Sequence, residues 1–308
     1  MSVRACSESF QDTAKTVLSE NRNANVHKST CVAEAKKSSV CSKSSKDYGQ
    51  ALKCVSIVIP IYNVTKFLDE AIRSVLSDAY PDKEIVVVDD GSNAETANEI
   101  TGICAAYPEV KLIRQENQGQ AGARRAGVLN ARGEYIIFLD ADDILLPGAV
   151  TYLATHMDAH PEAAGVYGKK LRMEVDGHFL PSTLHPSDEE VASGDVLPAL
   201  LRGALLFSHG NICVQRKFLL DLDYPQHMRQ GEDWVTWCRL AMKGDIIYVG
   251  NRTLLALRNH SQNISGEVFD NPSALRRMID VIFKDEAIIN RIGKRKLAAY
   301  RVRHLRQI

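Results

Sequence analysis

From residue 55 onward the chain alternates between short unbroken apolar runs and longer stretches whose apolar positions recur three and four residues apart. Val55-Ser56-Ile57-Val58-Ile59 is β-branched and stopped by Pro60, which predicts a buried strand. Phe67, Leu68, Ile72, Val75 and Leu76 then follow helical spacing, and Pro81 closes that region. Ile85-Val86-Val87-Val88 predicts a second strand. Ser92 and Glu95 form a capping-box pattern for a helix running toward Tyr107. Residues 110–113 predict a third strand, 121–131 a helix, and 135–139 a fourth strand. After Pro147 a helix is expected to about His160, then a strand near 163–169. Residues 176–193 are rich in Pro, Ser and acids and read as a loop. Regular patterns resume at Asp195, and Gly293 divides a basic, amphipathic C-terminal helix pair.

Strands alternating with helices predict an α/β fold with a mostly parallel central sheet flanked by helices. Such sheets bind ligands beyond the carboxyl ends of their strands. Two acidic segments leave the strands there: Asp89-Asp90-Gly91 after the second, and Asp140-Ala141-Asp142-Asp143 after the fourth.

Composition changes the picture at both ends of the chain. Residues 1–50 hold ten serines, six lysines and few aromatics, so they are expected to form a disordered extension. Charge is uneven although the net is zero: +3 over residues 1–50, −10 over 51–270 and +7 over 271–308. The acidic middle would repel a phosphate-rich ligand unless a cation intervened. The basic tail has two readings, contact with an anionic membrane surface or packing against the acidic body. No apolar run approaches the roughly 18 residues of a membrane span, and no secretory leader is expected. The seven cysteines form no C-x-x-C pair, which suggests reduced thiols and a cytoplasmic setting. Cys54, Cys104, Cys213 and Cys238 sit in apolar stretches and are expected to be core residues.

Asp140 and Asp142 flank one residue at a strand end, so both carboxylates can address one ion. Oxygen donors of this kind suit Mg²⁺ or Mn²⁺. The alternative is helix capping in a surface loop. Neither G-x-G-x-x-G nor a P-loop is present, so dinucleotide and P-loop NTP chemistry are not expected. Any diphosphate would rely on a metal and on Arg124. Glu232-Asp233 reads either as an acidic helix start or as a base presented to a cleft. Trp234 and Trp237 could form a sugar platform or core anchors.

Taken in order, these segments resemble glycosyltransferase family two, with its GT-A fold. The resemblance rests on residues 55–63, on Val86-Val87-Val88-Asp89-Asp90-Gly91-Ser92, and on Asn117-Gln118-Gly119 with Ala123-Arg124. It continues through Gly133-Glu134-Tyr135-Ile136, Phe138-Leu139-Asp140-Ala141-Asp142-Asp143 and Gly231-Glu232-Asp233 with Arg239, and covers about residues 54–265. It implies inverting, metal-dependent transfer of a sugar from a UDP-type nucleotide sugar to an acceptor hydroxyl, in polysaccharide or glycoconjugate synthesis. By resemblance Pro60, Tyr62, Asp90, Arg124 and Asp140 hold the nucleotide sugar. Asp142 is the principal metal ligand, with Asp140 beside it; His260 lies where some relatives place a histidine near the metal or diphosphate, and its other reading is a surface histidine. Asp233 is the general base, with Glu232 adjacent. Arg125 stands where family members usually carry asparagine. The processive Gln-x-x-Arg-Trp signature is absent, which favours single additions. The expected division is an extension over 1–52, a GT-A domain over 53–265 and a basic helical segment over 266–308. The expected partners are a nucleotide-sugar donor and a carbohydrate or lipid-linked acceptor, with peripheral contact at the inner membrane face and no nucleic acid. Two other functions fit the acidic motifs less well: a sugar nucleotidyltransferase and a non-catalytic sugar-nucleotide binding module.

Overall fold

The structure, a computed structural model, describes residues 52–180, 191–204, 207–226, 228–259 and 272–305. The expected disorder of 1–52 and the expected division of the chain fall largely or partly outside these residues, as do Cys6, Cys31, Cys41 and His260. Residues 53–308 form one unit.

The first half follows the sequence pattern. Strand β1 (Val55–Ile61) is buried along its whole length and leads to helix α1 (Leu68–Leu76). Strand β2 (Lys83–Asp89), α2 (Ala94–Ala105), β3 (Val110–Arg114), α3 (Gly119–Asn130) and β4 (Tyr135–Phe138) follow. Then come β5 (Ile144–Leu145), α4 (Ala149–Ala159) and β6 (Gly165–Glu174). Next are α5 (Leu197–Leu201), β7 (Ile212–Gln215), α6 (Arg216–Leu220), α7 (Glu232–Ala241) and β8 (Ile246–Asn259). The chain closes with α8 (Pro272–Phe283), α9 (Glu286–Ile292) and α10 (Lys294–Leu305).

One eight-stranded sheet runs in the order β3-β2-β1-β4-β7-β6-β8-β5. The β3-β2-β1-β4 half is parallel throughout; β7 pairs antiparallel with β4 and β6, and β6 runs parallel to β8. Alternate residues of a strand face opposite sides of a sheet. Accordingly Ile57, Ile59, Ile85, Val87 and Ile137 pack under α1 and α4. Val58, Val86, Val88, Ile136 and Phe138 pack on the other face with α3 and α7. The order of connection reverses between β1 and β4, so a crevice opens beyond their carboxyl ends. Tyr62 follows one of those strands and Asp140 follows the other.

Several boundaries differ from expectation. Helix α2 is capped by Asn93, whose side chain accepts from the Thr96 amide, and not by Ser92. The Ser92 hydroxyl is engaged by the Asn63 amide instead. Helix α3 begins two residues before the expected start, at Gly119, whose φ of 76° suits glycine. Strand β6 runs on to Glu174 because β8 extends alongside it. The loop expected over 176–193 begins as a turn, since Phe179 bridges back to Met173; residues 181–190 lie outside the description. The C-terminal pair is a trio, with Gly293 (φ 87°) ending α9. Leu297 and His304 of α10 are buried, and His304 packs against Trp234 and Phe283. The tail therefore docks on the body, while Lys294, Arg295 and Lys296 remain exposed. The four described cysteines are free and buried, as expected.

Candidate active site

The β1 and β2 ends build the first part of the crevice. Pro60 is buried within β1, and Tyr62, just beyond it, is 50% exposed. Asn63 has a φ of 53°, a conformation asparagine tolerates better than most residues. Its side-chain oxygen accepts from the Asn93 amide at 2.9 Å, which ties the loop after β1 to the loop after β2. Asp90 is buried; its Oδ1 accepts from Gln115 Nε2 at 2.7 Å and from the Gln118 amide at 2.9 Å. Asp89 caps the turn by accepting from the Ser92 amide. Asp90 is thus oriented from the third strand's loop.

The second part centres on Arg124. Helix α3 places this guanidinium inside the protein at 3% exposure, while Arg125 faces solvent. Nη2 donates to Asp140 Oδ1 at 2.9 Å and to Gln120 Oε1 at 3.0 Å, and Nη1 donates to Glu232 Oε1 at 3.1 Å. Burial alone would push the Asp140 carboxyl up, but Arg124 and His209 hold it well below the usual carboxylate range. His209 Nδ1 lies 3.7 Å from Asp140 Oδ2, and the imidazole packs against Phe138 and Trp237. Burial raises Glu232, against the opposing pull of Arg124.

The turn after β4 is held from β8. Arg258 gives its backbone amide to Asp143 Oδ1 at 2.9 Å, its Nε to the Asp142 carbonyl at 2.8 Å and its Nη2 to Glu70 Oε2 at 2.6 Å. The guanidinium also lies 4.2 Å over the Phe67 ring. Burial raises the Asp143 carboxyl well above its usual value, and the neighbouring Asp142 and Asp140 add to it.

Asp233 is exposed at the start of α7, next to buried Glu232. Its Oδ1 accepts from the Trp234 amide at 2.7 Å, while Arg124 holds the adjacent Glu232. The motifs after β4 and before α7 therefore share one cluster, joined through Arg124. Trp234 and Trp237 are 7% and 3% exposed and belong to the core. The sugar-platform reading is corrected: their rings are spent on Phe283, His304, Phe207 and His209.

Among the described residues no three His, Cys, Asp or Glu side chains are grouped closely enough to hold an ion by themselves. The donor chemistry nevertheless fits Mg²⁺ or Mn²⁺. Such ions accept one or two carboxylates and fill the shell with water and substrate phosphate. Crowding of Asp140, Asp142 and Asp143, expressed in the raised Asp143, is a strain that a dication would relieve.

Lys170, Ser208, His209, Gln115 and the bracing role of Arg258 had no signal in the sequence. Each gains its meaning from contacts across more than 15 positions. His209 and Lys170 also lie in stretches without a recognisable motif.

Comparisons with known proteins identify the family and the fold. The sequence profile of Glycosyl transferase family 2 matches residues 56–220. An uncharacterized glycosyltransferase of Rickettsia conorii is 30% identical over 192 residues, which is 62% of this chain and 31% of that protein. Chondroitin synthase of Escherichia coli is 26% identical over 223 residues, 70% of this chain and 30% of the enzyme. The chain thus spans about a third of the length of these relatives. In structure, Staphylococcus aureus TarS residues 1–349 in complex with UDP-GlcNAc superposes with a TM-score of 0.61 at 18% identity, covering 82% of this chain and 73% of that one. The fold is therefore of the GT-A type. The chain belongs to glycosyl transferase family 2.

Proposed function

We propose that this protein transfers a single sugar from a UDP-type nucleotide sugar to an acceptor hydroxyl, with inversion at the anomeric carbon. The observation that carries the proposal is the Arg124 bridge, which ties Asp140 in the acidic turn after β4 to Glu232, the neighbour of Asp233.

In this reading Pro60, Tyr62 and Asp90 receive the nucleotide. Gln115 and Gln118 use one oxygen of Asp90, which leaves the other to accept from a uracil imide. Asp142, with Asp140 and His260 as further ligands, would hold Mn²⁺ or Mg²⁺, which supplies Lewis-acid stabilisation of the diphosphate charge. Asp233, exposed at the start of α7, takes the proton of the acceptor hydroxyl as it attacks. Glu232 is held by Arg124 and shapes the helix start that presents Asp233. Attack opposite the departing diphosphate inverts the anomeric centre. We further propose a carbohydrate or lipid-linked acceptor, a cytoplasmic site of action and peripheral membrane contact through exposed Lys294, Arg295 and Lys296. Sedimentation with anionic vesicles, with and without residues 290–308, tests that contact.

The deciding experiment is a thermal-shift panel of UDP-sugars with and without Mn²⁺, followed by turnover of Asp233→Asn. A UDP-sugar should raise the melting temperature further when Mn²⁺ is present. Asp233→Asn should lose about 10²- to 10⁴-fold in kcat, the usual worth of a general base, while still binding UDP. Loss of UDP affinity in parallel with turnover would remove Asp233 from the role of base. A binding module without catalysis would show the thermal shift and no metal-dependent hydrolysis of the donor.

A further inference from the structure

Lys170 lies on β6 and has no part in the function proposed above. Strand register sets its height: Ile136 of β4 pairs with Val214 of β7, and Val214 pairs with Gly165 of β6. Both pairings are antiparallel, so β4 and β6 run the same way. Asp140 stands four residues past Ile136, and Lys169 four past Gly165. Lys170 therefore leaves its strand at the height of the acidic turn, two strands away from β4, or roughly 10 Å at the usual spacing. Leu171 and Met173 pack with Ile144, Leu146 and Ala256, which puts Lys170 and Arg172 together on the opposite face of β6. Lys170 is half-buried, and its Nζ donates to Ser208 Oγ at 2.6 Å. The Ser208 amide donates to Asn211 Oδ1 at 2.8 Å, and Asn211 Nδ2 donates to the Gly168 carbonyl at 2.6 Å. The segment bearing Ser208 is thereby fastened to β6. Its next residue, His209, comes within 3.7 Å of Asp140 Oδ2, so the same segment links the lysine to the acidic turn.

A lysine ammonium has three donors, and the neutral Ser208 hydroxyl takes one. Among the described residues no carboxylate is in ion-pair contact with Lys170, and exposed Arg172 has no ion pair either. The acids that act on Lys170 from a distance, Asp233 and Asp143, accept from the Trp234 and Arg258 amides. Withdrawing an ammonium from water is costly unless an anion faces it. Burial accordingly lowers this one to about 8. Two basic side chains on one strand face, roughly 7 Å apart, can close on a single anion.

We propose that Lys170 and Arg172 form an anion subsite on the acceptor side of the cleft, which takes a phosphate or carboxylate carried by the acceptor. The proposal rests on the reading of the β1, β2 and β4 ends as the donor site. The nucleotide residues Pro60, Tyr62 and Asp90 belong to β1 and β2, whereas Lys170 lies beyond β4 and β7 in the sheet. Ser208 holds the ammonium in place, and Arg172 adds a planar fork of donors that suits either oxyanion. A neutral acceptor would leave Lys170 without a counter-charge.

Trace labelling with acetic anhydride, read by mass spectrometry, reports the free-amine fraction of Lys170, with exposed Lys243 as the reference. The probes are glycerol 1-phosphate and glucuronate, set against glycerol and glucose at equal ionic strength. A bound oxyanion favours the charged form of the lysine. Labelling of Lys170 should therefore fall by about threefold or more as either anionic probe saturates, with Lys243 unmoved. The fall should persist when UDP and Mg²⁺ are already present. Arg172→Gln should lose most of the protection, and Arg172→Lys should keep part of it. Labelling of Lys170 unchanged by both probes overturns the proposal, and so does full protection in Arg172→Gln. Protection by UDP and Mg²⁺ alone, to which the probes add nothing, also overturns it, because the ammonium would then serve the donor diphosphate. The melting-temperature shift given by UDP and Mg²⁺ is read on the same samples. Its absence would defeat the donor-site reading, and labelling with the probes in the absence of nucleotide would still report the anion subsite.

Discussion

Arg124 and Glu232 lie 108 positions apart in the chain and are joined by a buried ion pair of 3.1 Å. The same guanidinium reaches Asp140 at 2.9 Å, so a single side chain of α3 fixes the end of β4 and the start of α7 together. Removing one partner of a buried pair leaves the other charge uncompensated, at about 3–5 kcal/mol. Arg124→Met should therefore lower the unfolding free energy by about that amount in urea titrations. The double variant Arg124→Met/Glu232→Gln should recover part of the loss, because the stranded carboxylate is gone. A double variant no more stable than Arg124→Met would show that Glu232 is not the group left unpaired.

The parallel half of the fold was legible because its inner strands β1, β2 and β4 are buried on both faces. Such strands read as unbroken β-branched runs, and Val55–Ile61 and Lys83–Asp89 both fall where those runs lie. The antiparallel part was less legible. Ile212–Gln215 and Ile144–Leu145 are too short to show a period, and they exist because β6 and β8 offer edges. The acidic motifs could be found because they stand directly after buried strands. His209 could not, since its place beside Asp140 depends on how the second half of the sheet folds back.

Asp90 allows a test of base recognition. Its Oδ1 is used by Gln115 and Gln118, and the remaining oxygen is an acceptor suited to the N3–H of uracil. An asparagine amide at that place can turn its donor outward, which suits the N3 acceptor of cytosine. Asp90→Asn should bind UDP about tenfold less tightly, consistent with loss of one charge-assisted hydrogen bond. Its preference for UDP over CDP should narrow. Calorimetric titration of both nucleotides measures the two quantities, and an unchanged UDP/CDP ratio would remove Asp90 from base recognition.

Gly133 stands where β1 and the approach to β4 meet most closely. A Cβ there would lie 2.5 Å from Ser56 Oγ, 2.7 Å from Ser56 N and 2.9 Å from the Cys54 carbonyl oxygen. Two of those atoms are backbone within the central strand region and cannot swing aside. Gly133→Ala should destabilise by about 1–3 kcal/mol, the usual cost of overpacking. Gly102→Ala is the control, since nothing lies within 4 Å of its Cβ position. In a helix interior alanine gains roughly 1 kcal/mol over glycine, so this variant should be neutral or more stable. Denaturant midpoints of the two variants should move in opposite directions or differ by at least that amount.

Asp143 gives a prediction in pH. Its carboxyl is raised by burial first, and then by Asp142 and Asp140, although its Oδ1 accepts from the Arg258 amide. A carboxyl whose value is higher folded than unfolded makes the native state bind more protons than the unfolded chain in the interval between the two values. Stability then falls as pH rises through that interval, at about 1.4 kcal/mol per unit of separation. Asparagine keeps an oxygen for the Arg258 amide and carries no charge. In a chelating buffer, Asp143→Asn should therefore melt higher than wild type at neutral pH. The gap should narrow as the pH is lowered toward the ordinary carboxylate range, where the native Asp143 is protonated as well. A gap constant across pH would mean that Asn acts through packing alone. If added Mn²⁺ closes the gap at neutral pH by stabilising the wild type more than the variant, the crowding of Asp140, Asp142 and Asp143 is the strain that the ion relieves.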